Sequence, residues 1–385
     1  MPPMPWALLA AACLGMFAAS SSGTTRAPFL IDMSRDLSVS LAMVANLMAA
    51  TSIAWGVASV VAGAASDRWG RRPLMIGGPI GLAAGLVWLS LAGSFVEVAL
   101  AATAAGACAG AFTGVIMAEA SARTVDRQRG RALGWVMAGQ SFALLVGVPV
   151  AAWIGTSIGW RGVNQVVAGV ALLAALGLFA TTLRPAQGAA AAAKQVSMRG
   201  AMTGPVMRLL WMGVAERVCY GLTVVYYATF LQTIYGLTPA GVAIPLGIMA
   251  LGNILGTILG GQAADRLADR LRTFALTMVA SGSAALILFG WTPGLWETTA
   301  LGFAYATFGA MSRPSLMAAL ANVPDEVRGT VLGLNVTAAS LGWLGAASIG
   351  GWIMAEIGFG AFGPFALAVA LVAAMLALTG RRQVL

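Results

Sequence analysis

Five charged side chains stand inside long apolar runs of this 385-residue chain: Arg26, Glu119, Glu216, Arg217 and Arg313. An ionised group at the centre of a bilayer costs about 2.5 to 3.5 kcal/mol on insertion scales, so one that is kept there usually faces a cavity and has a task. Two chemistries are open to such a set. A carboxylate shielded from water is readily neutralised, so it can take a proton on one side of a membrane and release it on the other. A guanidinium can hold an anion through its planar fork of N–H donors. Glu216 is placed for the first role, about ten residues or about 15 Å into its apolar run, and therefore near a bilayer midplane. The chain has no histidine, which leaves Glu216 few titratable competitors. The other reading of Glu216 is a static ion pair with an arginine of the same cavity.

Tyr220, Thr223 and Tyr227 follow Glu216 at intervals that put them near one helical stripe, which could contact a ligand or simply pack. Arg26 and Arg313 could hold substrate or snorkel to the membrane surface. Glu119 precedes Arg123 by four residues, a favourable helical pair that suits a structural tie or an inner gate. Gln140 and Asn335, like Asn46, Thr51 and Asn253, could hydrogen-bond substrate or join helices.

The elements that must position these residues follow from composition. Hydrophobic residues make up 59% of the chain and charged residues 9%, with a mean hydropathy of +0.86, where soluble domains carry about 25% charged residues. A water-soluble fold is excluded. Apolar runs fall at 7–31, 39–65, 73–93, 97–120, 131–154, 161–183, 206–234, 240–264, 273–291, 295–320, 328–351 and 358–380, each about the length needed to cross a bilayer. The expectation is an all-α membrane protein with twelve transmembrane helices. The first run resembles a secretory signal, but no Lys or Arg precedes Arg26, so it reads as an uncleaved first helix.

The net charge of +9 does not point to nucleic acid, because the basic residues are scattered between apolar segments. With a cytoplasmic N-terminus, seventeen Lys and Arg residues fall in inner loops and two, Arg35 and Arg161, in outer loops. Both termini are therefore expected in the cytoplasm. Cys13, Cys108 and Cys219 are far apart in apolar runs, so neither a disulfide nor a metal site is expected.

The stretch 184–205 is the one long inner connection, and reads as a cytoplasmic linker between six-helix halves 1–183 and 206–385. The halves repeat: Asp67-Arg68 matches Asp265-Arg266 at an offset of 198, and Arg129-Gly130 matches Arg328-Gly329 at 199. Duplicated six-helix units around a midplane site permit alternating access, in which one half rocks against the other.

Between spans 2 and 3 the chain reads Gly63-Ala-Ala-Ser-Asp67-Arg68-Trp69-Gly70-Arg71-Arg72. This matches GxxxDRxGRR, the signature loop of the major facilitator superfamily, at every specified position, and the chain resembles that superfamily on these residues. The resemblance implies the major facilitator fold of two pseudo-symmetric six-helix bundles, with spans 1, 4, 7 and 10 lining a cavity. It also implies a latch between helices 2 and 11 centred on Asp67, with Gly63 and Gly70 allowing close packing and a tight turn. Arg68, Arg71 and Arg72 would serve the latch and also fix topology. The second copy, Asp265-Arg266, lacks the second glycine and one arginine.

In span 5, Gly139, Gly147 and Pro149 resemble the motif of the superfamily's antiporters, although Ala151-Ala152 replaces the closing glycine pair. Helix packing accounts for much of the same pattern. Ala102 stands where the family's helix-4 arginine is expected.

These features together resemble the twelve-helix drug and metabolite:proton antiporter branch. The expected activity is efflux of a small amphipathic molecule, anionic or zwitterionic given three arginines against two glutamates in the spans. The alternative is a proton symporter or facilitated carrier importing a small organic anion. No Walker or dinucleotide motif is present, so an ion gradient is the expected energy source and no cofactor is expected. Sodium held by carbonyls at broken helices is an alternative to the proton. No nucleophile with its base is visible, which argues against an enzyme. The expected partners are the lipid bilayer and a small-molecule substrate, with no nucleic acid, for a monomer in the inner membrane.

Overall fold

The computed structural model describes residues 4–182, 202–267, 269–322 and 325–379; the side chains of Asp67, Asp126, Arg127, Arg129, Asp265, Ala321, residues 325–330, Leu332 and Gly333 also lie outside the description. All regular structure among the described residues is helical. The expected linker 184–205 falls mostly outside them.

The chain begins with α1 (Trp6–Thr24), a 3-10 turn (Ala27–Phe29) and α2 (Leu30–Asp36), followed by α3 (Leu41–Trp69), α4 (Arg71–Leu91) and α5 (Phe95–Ala122). Next come α6 (Asp126–Phe142), a π turn (Ala143–Gly147) and α7 (Val148–Thr181). The remainder is α8 (Gly204–Tyr235), α9 (Ala243–Arg266), α10 (Arg270–Gly290), α11 (Leu295–Ala321), α12 (Asp325–Glu356) and α13 (Phe362–Thr379).

Nine helical stretches among the described residues are long and apolar enough to cross a membrane. One of them, the 52-residue stretch Gly130–Thr181, contains two legs parted at Gly159, whose φ of 66° is outside the helical region. α8 and α11 are as long but carry buried polar and charged residues. Counting both legs and these two helices is consistent with the twelve spans expected from the apolar runs.

The first span expected over 7–31 is one stretch in the structure, Trp6–Asp36, tightened to a 3-10 turn at Ala27–Phe29. Pro28 lies in that turn and has no N–H to donate. Local signals set helix ends. Ser94 accepts from the Glu97 N–H while the Glu97 carboxylate accepts from the Gly93 N–H at 2.8 Å, a reciprocal cap for α5. α8 ends on Gly236 at φ 63°, the left-handed conformation that glycine adopts without penalty.

Backbone contacts divide the chain into two compact units, Met1–Val39 with Ala50–Lys194, and Ser40–Ala49 with Gln195–Leu385. The first has a core that includes Leu8, Met16, Leu82, Phe112 and Ile116; the second is built on Met212, Phe274, Met278, Leu316 and Leu320. Lipid is as apolar as leucine, so close backbone contact rather than hydrophobic burial must hold such helices together.

Both units use glycine at four-residue spacing for this. In the first, Gly106, Gly110 and Gly114 of α5 lie against Thr51, Trp55 and Ser59 of α3; a Cβ at Gly110 would overlap the Trp55 carbonyl. In the second, Gly252, Gly256 and Gly260 of α9 lie against Phe303, Thr307 and Met311 of α11. By the repeat, α3 with α5 corresponds to α9 with α11. The same helix pair is closed in both units, with the glycines on opposite partners. Large apolar side chains such as Val57, Val60, Leu173 and Leu176 are exposed, as lipid-facing positions require.

Candidate functional site

The second unit gathers charge around Glu216. Its carboxylate is 3% exposed and accepts, at Oε1, from Arg313 Nη2 at 2.9 Å and Arg313 Nε at 3.2 Å. Arg217 Nε lies 3.4 Å from Oε2. α8 supplies Glu216 and Arg217 as neighbours, and α11 supplies Arg313 one residue before Pro314.

Tyr220, one helical turn beyond Glu216, sits under both cations. The Arg313 guanidinium is 4.7 Å and the Arg217 guanidinium 5.6 Å from the centre of its ring, close enough for the ring face to attract them. Its edge packs against Trp343 of α12 with ring centres 5.5 Å apart. Beside the cluster lies a small crevice, with room for about one water molecule, lined by Glu216, Cys219, Tyr220, Thr223, Ser281 and Tyr305 among others. The Tyr305 hydroxyl donates to the Cys219 carbonyl at 2.6 Å, tying α11 to α8 beside the carboxylate.

The arrangement is a two-cation, one-anion cluster with net positive charge. While Glu216 is ionised it occupies Arg313; a proton on Glu216 would remove the anion and release that guanidinium. Ion pairing of Glu216, one of the two readings open in the sequence, is thus the geometry present.

The remaining expected residues separate into groups. Tyr227 is fully buried, stacks on Phe230 and reaches the Thr298 carbonyl, so it packs α8 against α11 without lining the crevice. Asn335 donates weakly to the Met317 sulfur at 3.5 Å and lies against Gly213, joining α12, α11 and α8. Gln140 is half-buried on α6, next to Gly139, which touches the α1 backbone at Cys13. Gly147 likewise meets Ser21 and Phe17 of α1, and the π turn ends there, before Pro149. Gly139 and Gly147 therefore both serve the α1 contact.

In the first unit, Arg26 is 5% exposed, and its Nη1 donates to Thr51 Oγ1 at 3.4 Å. Its Nε and Nη2 have no hydrogen-bond partner among the described residues. Glu119 accepts from Arg123 Nε at 2.6 Å and from Arg71 Nη1 at 3.4 Å. The expected helical pair is therefore extended by Arg71 into a tie between α5 and α4.

Of the loop motif, Gly70 has φ 79° and opens α4, so the turn requires glycine. Arg72 lies over the Phe179 ring at 5.2 Å, and Arg68 and Arg266 are exposed. Nothing described lies within 4 Å of the Cβ position of Gly63. The Asp67 and Asp265 side chains lie outside the described residues.

Sequence reasoning missed Tyr305, Trp343 and Ser281. Tyr305 was legible: Tyr305, Gly309 and Arg313 recur every four residues on one helical face. Trp343 and Ser281 carry no local signal. Also missed was Asp36, which accepts from Trp160 Nε1 and Arg161 Nη1, both at 2.8 Å, and ties α2 to α7.

Long apolar helices in two units, each carrying buried charge, define a multi-pass membrane carrier. The sequence matches the Major Facilitator Superfamily over residues 12–266 and again over 209–384, and the chain belongs to that family. It is similar to the chloramphenicol resistance protein of Streptomyces lividans, 27% identical over 295 residues that cover 75% of this chain and 72% of that protein. It is also similar to the inner membrane transport protein YdhP of Escherichia coli O157:H7, 27% identical over 65% of this chain and 64% of YdhP. A bacterial homologue of the human lysosomal transporter Spinster, solved in inward-facing, occupied form, shares the fold with a TM-score of 0.79 at 17% identity, covering 99% of this chain and 98% of that one. The chain is a membrane transporter and not an enzyme.

Proposed function

We propose that this transporter exports a small amphipathic molecule across the inner membrane by alternating access, driven by protons that load and leave Glu216. The single observation that supports the reading is the buried Glu216 carboxylate shared by Arg313 and Arg217. Antiport requires proton and substrate to favour different states of one site. Here a proton on Glu216 raises the local charge by one unit and frees Arg313, whereas ionised Glu216 keeps Arg313 paired and leaves a cluster of one net positive charge over Tyr220 that can accept a neutral or zwitterionic ligand. The efflux-type relative named for chloramphenicol resistance adds support for export. In this reading the protein is a monomer with both termini in the cytoplasm, and Asp67 latches the cytoplasmic side.

A second reading, proton symport of an organic anion, is favoured by the excess of cation: two guanidiniums share one carboxylate, and an anion replacing Glu216 on Arg313 would leave Glu216 to take up a proton. Proteoliposomes containing a pH-sensitive dye separate these. Chloramphenicol, lipophilic cations and small organic acids are added to wild type and Glu216→Gln. Substrate-dependent proton movement absent in Glu216→Gln supports coupling at this residue, and its sign separates antiport from symport. Substrate uptake with no proton movement in wild type would sink both.

A further inference from the structure

The two unpartnered nitrogens of Arg26, Nε and Nη2, are not an arbitrary pair. They carry the N–H bonds along one edge of the guanidinium plane, the edge whose spacing matches the two oxygens of a carboxylate. Nη1, on the other side, is the nitrogen anchored to Thr51. The side chain is thus held at one corner with its bidentate edge unused, while 95% of the residue's surface is covered, given its 5% exposure. A buried cation with unmet donors is costly unless something anionic or strongly polar meets it.

The second unit shows what this chain does with the same edge. Arg313 presents Nε and Nη2 together to one oxygen of Glu216. Among the described residues, no Asp or Glu plays that part for Arg26.

The backbone at Arg26 stays helical and tightens to a 3-10 turn, with the Arg26 carbonyl accepting from the Phe29 N–H. Thr51, the anchor, is itself fixed by the close approach of Gly106 on α5. Three helices therefore preset the position of the guanidinium before any ligand arrives.

We infer that Arg26 is the carboxylate-binding residue for the transported molecule, gripping it through Nε and Nη2 while Thr51 holds Nη1. The inference rests on the reading of the chain as a carrier of a small amphipathic molecule and narrows the substrate class to carboxylate-bearing compounds. It does not depend on the direction of coupling.

The test is binding to the purified full-length protein in detergent, with no gradient. Benzoate, phenylacetate and indole-3-acetate are each compared with their neutral amides by thermal unfolding and tryptophan fluorescence titration. The expected result is that at least one acid stabilises wild type while its amide does not, and that Arg26→Gln weakens the acid at least tenfold. Arg26→Lys keeps the charge but loses the fork, and is expected to lose most of the same binding; it carries the test if the Gln variant does not fold. Equal effects of every acid and its amide, or acid binding unchanged in Arg26→Lys, would overturn the assignment. Because no proton movement is measured, failure here leaves coupling at Glu216 standing. Loss of coupling with acid binding intact would remove only the latter.

Discussion

Replacing Glu216 by Gln removes the one anion that two buried guanidiniums share, and the cost can be worked from the geometry. Breaking a buried ion pair by deleting one partner costs about 3–5 kcal/mol, because the other charge is left uncompensated. Arg313 and Arg217 retain 21% and 24% side-chain exposure, and the Tyr220 ring stays beneath both, so part of that charge remains solvated. A loss of about 2–3 kcal/mol is expected for Glu216→Gln, or about 4–12 °C in unfolding midpoint at about 2–4 °C per kcal/mol for a unit of this size. Arg313→Met should cost a similar amount, since it leaves Glu216 with only the longer contact to Arg217. The double variant Glu216→Gln/Arg313→Met removes both charges of the short pair and should recover at least about 1 kcal/mol relative to the sum of the singles. Thermal unfolding of all four proteins in one detergent measures this. A Glu216→Gln midpoint within about 1 °C of wild type, or strictly additive singles, refutes the argument that the cluster is held by its charges.

Gly110→Val drives a side chain into the Trp55 carbonyl, and Gly256→Val does the same at Thr307, so each should lower the yield of folded protein sharply; Gly63→Ala, with open space at its Cβ, should leave unfolding unchanged. Glu119→Gln removes the tie among Arg123, Arg71 and α5 and should cost about 1–2 kcal/mol, read as a lower unfolding midpoint that high salt reduces in wild type. Asp67→Asn should retain wild-type unfolding while transport in proteoliposomes falls, because a latch acts on the cycle and not on the fold; a matching loss of stability would make Asp67 a packing residue.

The chain's class was written in its composition. Twelve apolar runs of membrane length leave no soluble alternative, and the GxxxDRxGRR loop with its repeat near 200 residues on identifies the fold, because bilayer thickness and backbone satisfaction dictate helix length wherever the chain crosses. The same cost argument singled out Arg26, Glu216, Arg217 and Arg313, since a charge in an apolar run is visible without any contact map. The Glu119–Arg123 pair and the Gly70 turn were also local, fixed by four-residue spacing and by backbone freedom.

What the sequence left open was which of these charges meet. Glu216 and Arg313 are 97 residues apart, and only the packing of α11 on α8 brings Nη2 within 2.9 Å of Oε1. Tyr220 and Tyr227 share a helical stripe in the sequence, yet one sits under two guanidiniums and the other is sealed against α11. The glycine stripes could be counted from the sequence, but which partner each one meets could not. The unpaired edge of Arg26 is a property of what three helices fail to supply. Hydrophobicity is a property of each residue and can be read in order; ion pairing depends on distance between helices, which only the folded chain sets.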